Sequence, residues 1–264
     1  MPRRPALPDA ATGTTASISG LLRHVVRVGE HELAVLSSDG DTDAPAFVLV
    51  HGLGMSHRYL ERLGRELRRT GTTHCVDLPG FGGRPKPDGP LTIEEGAALI
   101  GGALDAMGLD RVTLVGHSMG AQFATELAAQ RPDLVTHLVL IGPVTDPARA
   151  RPLSQARDLV RDAVKEPPSG NAMALLDYLR CGPRWYLTEL APMLAYRTDQ
   201  ALRRVIAPTL VIRGEDDPVA RRPWCAQLAS AAVAGTLVEI PRHRHLVQHT
   251  AAGMTAAAIA GLAR

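Results

Sequence analysis

Three cysteines in 264 residues, Cys75, Cys181 and Cys225, are too few and too widely spaced for a disulfide framework, and none belongs to a C-x-x-C pair that could open a zinc ribbon. A reducing cytoplasm is therefore the expected compartment. Lysine is scarcer still: of the 29 lysines and arginines only Lys86 and Lys165 are lysine, and the cations are dispersed among 27 acids for a formal net charge of +2. Neither a basic stripe for nucleic acid nor an acidic partner surface is expected, and lysine Schiff-base chemistry has few candidates. Long apolar runs are also missing. No segment approaches the roughly 20 residues of a membrane span, so no membrane partner is expected. Residues 1–20 carry Arg3 and Arg4 but lack the apolar core of a secretory signal, and they read as a loose leader. There is no internal repeat.

What is present is a chain with 45% hydrophobic residues, long enough for one large α/β domain. Residues 21–36 alternate around a Gly29-Glu30 turn, as an antiparallel hairpin at a sheet edge would. Residues 46–50 form the first fully buried strand. Strand and helix then alternate: Ser56 stands as the N-cap of an amphipathic run over 59–69, 73–78 is a strand, and Thr92 with Glu95 forms a capping box. This order predicts a mostly parallel sheet covered on both faces. After a strand at 134–141 the pattern breaks. Residues 145–205 contain helical stretches, including 154–164 and 173–180, and no buried strand, which predicts a helical cap inserted after the sixth strand and lying over the strand ends. Strands return at 209–213 and 237–240, and residues 250–262 form an Ala-rich terminal helix. The domain reading is a core of 21–144 and 206–264 with a cap of 145–205.

One stretch carries chemistry. Val112-Thr113-Leu114-Val115-Gly116-His117-Ser118-Met119-Gly120 places a serine between two glycines, after an apolar strand and before a helix-forming run, which is the form of a nucleophile elbow. The strained turn exposes the Ser118 hydroxyl, and the first N–H groups of the following helix, that of Met119 included, point to where charge develops on an attacked carbonyl. A serine hydroxyl needs a base and an orienting acid, which follow it in that chain order. The acid is read as Asp217 in Gly214-Glu215-Asp216-Asp217-Pro218, with Glu215, Asp216 and the earlier Asp146 as competitors. The base comes from Pro241-Arg242-His243-Arg244-His245-Leu246-Val247-Gln248-His249, where His245 is favoured over His243 and His249. Those three histidines also allow a zinc reading, but it leaves the elbow unexplained and lacks an acidic ligand. A second oxyanion donor is expected after the first buried strand, in Val50-His51-Gly52-Leu53-Gly54, at the N–H of Leu53, with His51 organising the loop.

Together these residues resemble the α/β-hydrolase superfamily, in its capped, carboxylesterase-like serine branch, with H-G-x-G, D-x-P-G-x-G, G-H-S-x-G, G-x-x-D and a late histidine. Asp77-Leu78-Pro79-Gly80-Phe81-Gly82 supplies the second motif, and Gly83-Arg84 departs from the usual small pair after it. The resemblance implies Ser118, Asp217 and His245 as a triad, with Leu53 and Met119 as oxyanion donors. Serine at the elbow separates the chain from branches that use aspartate there. His117 and Leu246 stand where carbon–carbon hydrolases often have Asn and Trp. The expected activity is cleavage of a small-molecule ester or related acyl compound, without metal or organic cofactor, by a cytoplasmic protein, with a homodimer as the one assembly considered. Arg184, Trp185, Tyr186, Leu190, Met193 and Leu194 are candidate cap lining, with Trp185, Tyr186 and Met193 as substrate-binding residues. Two rivals stand beside this reading: a hydrolase of vinylogous diketones using the same serine, and a non-catalytic ligand-binding member of the fold.

Overall fold

Apolar, β-branched runs recur along the chain, and in the computed structural model, which describes residues 10–18, 20–40, 44–149, 162, 166 and 168–262, they pair into one sheet. Its nine strands among the described residues are β1 (Ala10–Ile18), β2 (Leu21–Val28), β3 (His31–Ser37), β4 (Ala46–Val50), β5 (Thr72–Asp77), β6 (Val112–His117), β7 (Val135–Ile141), β8 (Thr209–Gly214) and β9 (Gly235–Ile240). Their spatial order is β1-β2-β3-β5-β4-β6-β7-β8-β9. Pairings from β1 to β5 are antiparallel, and every pairing from β5 through β9 is parallel. Helices among the described residues include α1 (Glu61–Leu67), α2 (Ile93–Ala106), α3 (Gly120–Gln130), α4 (Pro168–Cys181), α5 (Pro183–Ala195), α6 (Thr198–Ala201), α7 (Arg222–Ala231), α8 (Val247–Thr250) and α9 (Ala252–Leu262).

Strand β4 shows why both faces are covered. Val48 and Val50 join one apolar cluster with Ile100 and Leu104 of α2, Phe123 and Leu127 of α3, and Trp224 of α7. Phe47 and Leu49 point the other way, into a cluster with Leu63 and Leu67 of α1 and Ile259 of α9. A parallel strand buried on both sides reads as a continuous apolar run, because successive side chains leave opposite faces and each meets a helix. Each such buried side chain contributes about 1.5–3 kcal/mol.

Three expectations are corrected, and a fourth lies largely outside the described residues. Residues 10–18, read as part of a loose leader, pair with β2 as the edge strand β1, so the 21–36 hairpin lies one strand inside the edge and the cap follows the seventh strand. The run is rich in alanine and threonine, without apolar alternation, and its pairing is a backbone property that such a pattern does not signal. Ser56 stands before the 3₁₀ turn His57–Leu60 without capping it; its hydroxyl donates instead to Asp177 Oδ2 on α4 at 2.7 Å. The terminal helix breaks at Ala251 into α8 and α9. The helical stretch expected over 154–164 lies, Asp162 apart, outside the described residues.

The C-terminal ends of the parallel strands form one edge. Val50 pairs with Gly116, His117 with Ile141, Ile141 with Ile212 and Gly214 with Ile240, so the segments that leave β4, β6, β7, β8 and β9 emerge side by side. Helices α4 and α5 lie in the insertion after β7. Among the described residues no helix is long and apolar enough to cross a membrane. Thr92 accepts the Glu95 N–H at 3.1 Å while Glu95 Oε2 accepts the Thr92 N–H at 2.9 Å, completing the box at the start of α2. Thr92→Ala should therefore cost about 1 kcal/mol in urea denaturation, and an unchanged midpoint would show that the box is idle.

Candidate active site

Ser118 follows β6 with a backbone φ of 57°, a left-handed conformation rare for a residue with a side chain. Two close approaches hold it there. A Cβ at Gly116 would collide with the Gly120 carbonyl, and a Cβ at Gly120 would collide with the Val50 carbonyl, so strand β6, helix α3 and the end of β4 meet without room for a methyl group. The Ser118 N–H donates to Ile141 O at 2.9 Å, and its carbonyl accepts from Ala121 N–H at 3.0 Å. The elbow expected from the sequence is present in backbone form.

Ser118 Oγ lies 3.2 Å from His245 Nε2, and His245 Nδ1–H donates to Asp217 Oδ2 at 2.9 Å. Asp217 Oδ1 accepts the N–H groups of Val219 and Ala220 at 2.7 and 2.9 Å, which fixes the carboxylate plane. Buried Arg213 organises this loop from behind, donating to the carbonyls of Glu215, Asp217 and Ala220 at 3.0, 3.1 and 2.7 Å and pairing with Glu239. Gly142 leaves space for His245: a Cβ there would lie 3.1 Å from its Nδ1 and Cε1. Burial would raise the Asp217 carboxyl, but His245 and the two amides hold it below its ordinary value. Burial equally opposes charge on His245; the Asp217 carboxylate, with Asp162 and Glu166 nearby, outweighs it and lifts the imidazole above its ordinary value.

The competitors are occupied elsewhere. Glu215 Oε2 accepts the Arg242 N–H at 3.1 Å, Asp216 is exposed, and Asp146 Oδ1 accepts the Ala148 N–H at 2.9 Å. His243 Nδ1 pairs with Thr250 Oγ1 at 2.9 Å, and His249 is buried away from this pairing. The three histidines therefore do not converge. His51 spans its loop, donating from Nδ1 to Gly52 O at 2.8 Å and accepting the Leu78 N–H on Nε2 at 3.2 Å.

Two residues of the site had no role assigned by their sequence positions. His117 Nε2–H donates to the His245 carbonyl at 2.9 Å, which leaves Nδ1 as an acceptor for the Tyr59 hydroxyl at 2.9 Å; Tyr59 in turn accepts the Gly52 N–H at 2.6 Å. Burial, and then His245, lower His117 to about 3, so it stays neutral with this fixed tautomer. Serine elbow, H-G-x-G loop and base loop are thereby tied through one imidazole. A histidine in the G-H-S sequence was the available signal, but its partner Tyr59 lies 58 positions away.

A cavity of about 50 Å³ beside Ser118 is lined by Leu53, Met55, Val144, Tyr178, Met193 and Leu246, among others. Tyr186 also lines it, its ring 5.5 Å from that of Tyr178 in an edge-to-face pair. Of the expected cap residues, Tyr186 and Met193 are thus at the cavity. Trp185 is not: it is buried over Gly80 and beside Phe81, with ring centroids 6.3 Å apart, where it packs cap on core. Arg184 is exposed, and Leu190 and Leu194 pack against the core cluster. Helix periodicity turns adjacent residues such as Trp185 and Tyr186 about 100° apart, so one faces the core and the other the cavity. A larger cleft of about 570 Å³ opens at the opposite edge, around Ala46, Thr72 and Thr136, remote from Ser118.

A family model described as "Alpha/beta hydrolase family" matches residues 47–258. The sn-1-specific diacylglycerol lipase of Mus musculus is 40% identical over 106 residues, which cover 39% of this chain and 34% of that protein. Lipase LipV of Mycobacterium tuberculosis is 38% identical over 125 residues, 47% of this chain and 45% of that protein. The matches span less than half the length of these relatives. In fold, a bacterial membrane phospholipase A superposes with a TM-score of 0.78 at 23% identity, over 93% of this chain and 87% of that one. The buried hydrogen-bond chain through Tyr59 makes a prediction independent of activity. Tyr59→Phe leaves the Gly52 N–H and His117 Nδ1 without their partner and should lower stability by about 1–3 kcal/mol in urea denaturation; no loss would contradict the chain as drawn.

Proposed function

The chain belongs to the alpha/beta hydrolase family, and on that premise we propose that it is a serine hydrolase cleaving a carboxylic ester or related acyl compound through an acyl-enzyme. The observation that carries the reading is the run of contacts from Asp217 through His245 to Ser118 at an elbow serine of positive φ. His245 Nε2 takes the hydroxyl proton as Ser118 Oγ bonds to the substrate carbonyl carbon, and Asp217 stabilises the imidazolium that forms. The oxyanion is assigned to the N–H groups of Leu53 and Met119, since the Gly52 N–H is already donated to Tyr59. Collapse of the tetrahedral adduct breaks the carbonyl–oxygen bond while His245 passes its proton to the leaving alcohol. A water deprotonated by the same imidazole then attacks the acyl-enzyme, and the proton returns to Ser118 as the acid leaves. Losing one oxyanion donor typically costs about 2.7–4 kcal/mol of transition-state stabilisation.

The lining of the cavity supports an uncharged acyl group. Among the described residues it contains Met55, Val144, Tyr178, Tyr186, Met193 and Leu246 and no lysine or arginine, so a substrate carboxylate there would lose its hydration and could pair only with His245, which must be neutral to take the serine proton. A cavity of about 50 Å³ is far below the roughly 300–1,000 Å³ of a ligand pocket, and substrate entry is assigned to displacement of the cap helices from Ser118. The proposed partner is a small neutral ester.

Two outcomes are expected. Asp217→Asn should lower kcat for a p-nitrophenyl ester by about 10⁴-fold, as loss of the orienting acid does in such a triad; an equal loss in Glu215→Gln or Asp146→Asn with Asp217→Asn active would reassign the acid. Because only neutral imidazole accepts the proton and His245 sits above its ordinary value, kcat/KM should fall as pH drops through a midpoint above about 6.5. A midpoint well below that value would contradict the assignment.

A further inference from the structure

The base loop is held by more than the triad. Residues 241–246 connect β9 to α8, and two of their N–H groups, those of His245 and Leu246, find partners on the cap rather than on the core. Asp162 Oδ1 accepts the His245 N–H at 3.3 Å and Arg244 Nε–H at 3.2 Å, and Glu166 Oε1 accepts the Leu246 N–H at 3.0 Å. Both carboxylates are buried, at 4% and 7% exposure, and they belong to the insertion between β7 and β8. Burying two acids four positions apart, close to a third at Asp217, costs solvation that a core of ordinary packing would avoid. The cost has a use if the acids place the base.

We infer that Asp162 and Glu166 are positioning residues through which the insertion after β7 holds His245 in line with Ser118. This rests on the hydrolase reading. The cap is otherwise pinned by neutral or remote contacts, among them Gln122 Nε2 donating to Met193 O at 2.9 Å and the Asp177 carboxylate accepting from Ser56 at 2.7 Å. Among the described residues, the Asp162 and Glu166 contacts reach the loop of the base. The charged and titratable groups around His245 are Asp217 from the loop after β8, His117 and Ser118 from the elbow, Asp162 and Glu166 from the cap, and Arg244 beside it. Both cap carboxylates favour the imidazolium.

Charge and hydrogen bond can be separated. Asp162→Asn/Glu166→Gln keeps carbonyl acceptors for the two N–H groups and removes both charges, whereas Asp162→Ala/Glu166→Ala removes both features. With a p-nitrophenyl ester the alanine pair should lose about 10- to 100-fold in kcat with KM within about 2-fold, and the amide pair should lose less. In NMR titration of the His245 imidazole the amide pair should move the midpoint down by about 1 unit. Equal kcat in wild type and alanine pair, or a His245 midpoint unmoved in the amide pair, would overturn the inference. The titration reads the clasp even where no ester is turned over, so a failure of the hydrolase reading would appear as an inactive wild-type chain whose His245 still responds. If the alanine pair does not fold, the amide pair decides.

Discussion

Everything at the strand ends depends on the close approach of Gly116, Gly120 and the Val50 carbonyl, which leaves Ser118 no conformation but the left-handed one. That contact sets helix α3 against β4 and β6, aims the helix start at the space above Ser118, and brings the H-G-x-G loop against Ser118: a Cβ at Gly52 would lie 2.9 Å from the Ser118 Cβ. The two remaining non-glycine residues of positive φ among those described, Thr145 and Arg242, stand in the segments that enter the cap and precede the base. Backbone strain is concentrated where the loops converge, and the packed sheet beneath supports it.

Around this elbow, direction of hydrogen bonding does what distance alone does not. The His245 carbonyl can only accept, which fixes the proton on His117 Nε2, turns the Tyr59 hydroxyl toward Nδ1, and leaves its oxygen for the Gly52 amide. His245 is the opposite case. It is equally buried but faces three carboxylates, Asp217, Asp162 and Glu166, and is drawn toward its charged form. Two imidazoles with centroids 4.9 Å apart are thus held in contrasting states by their partners: one kept neutral, one drawn toward its charged form.

Much of this was legible in the chain because the parallel fold delivers strand-end loops to one edge in a known order. Alternating strands and helices gave the sheet, Gly116 and Gly120 around Ser118 gave the elbow, and the loops after the strands at 209–213 and 237–240 gave Asp217 and His245 as the pair the structure brings together. What was not legible involves partners far apart in sequence. Ser56 looks like a helix cap until Asp177 is seen across from it, and Tyr59 looks like core until Gly52 and His117 meet its hydroxyl. Trp185 and Tyr186 have the same apolar character, and only the rotation of α5 decides which one reaches the cavity. Asp162 and Glu166 come from the cap, where no role was read for either, and their burial against the base loop depends on contacts some 80 positions away in the chain.

Catalysis at this site requires Ser118 to be a nucleophile activated by His245 in particular. Its most direct test is reaction of the pure protein with a fluorophosphonate, locating the adduct by peptide mass spectrometry in the wild type, His245→Ala and His243→Ala. Labelling at Ser118 that disappears with His245 and persists without His243 is the predicted result. A folded wild-type protein that takes no label, or one whose label survives loss of His245, would contradict it.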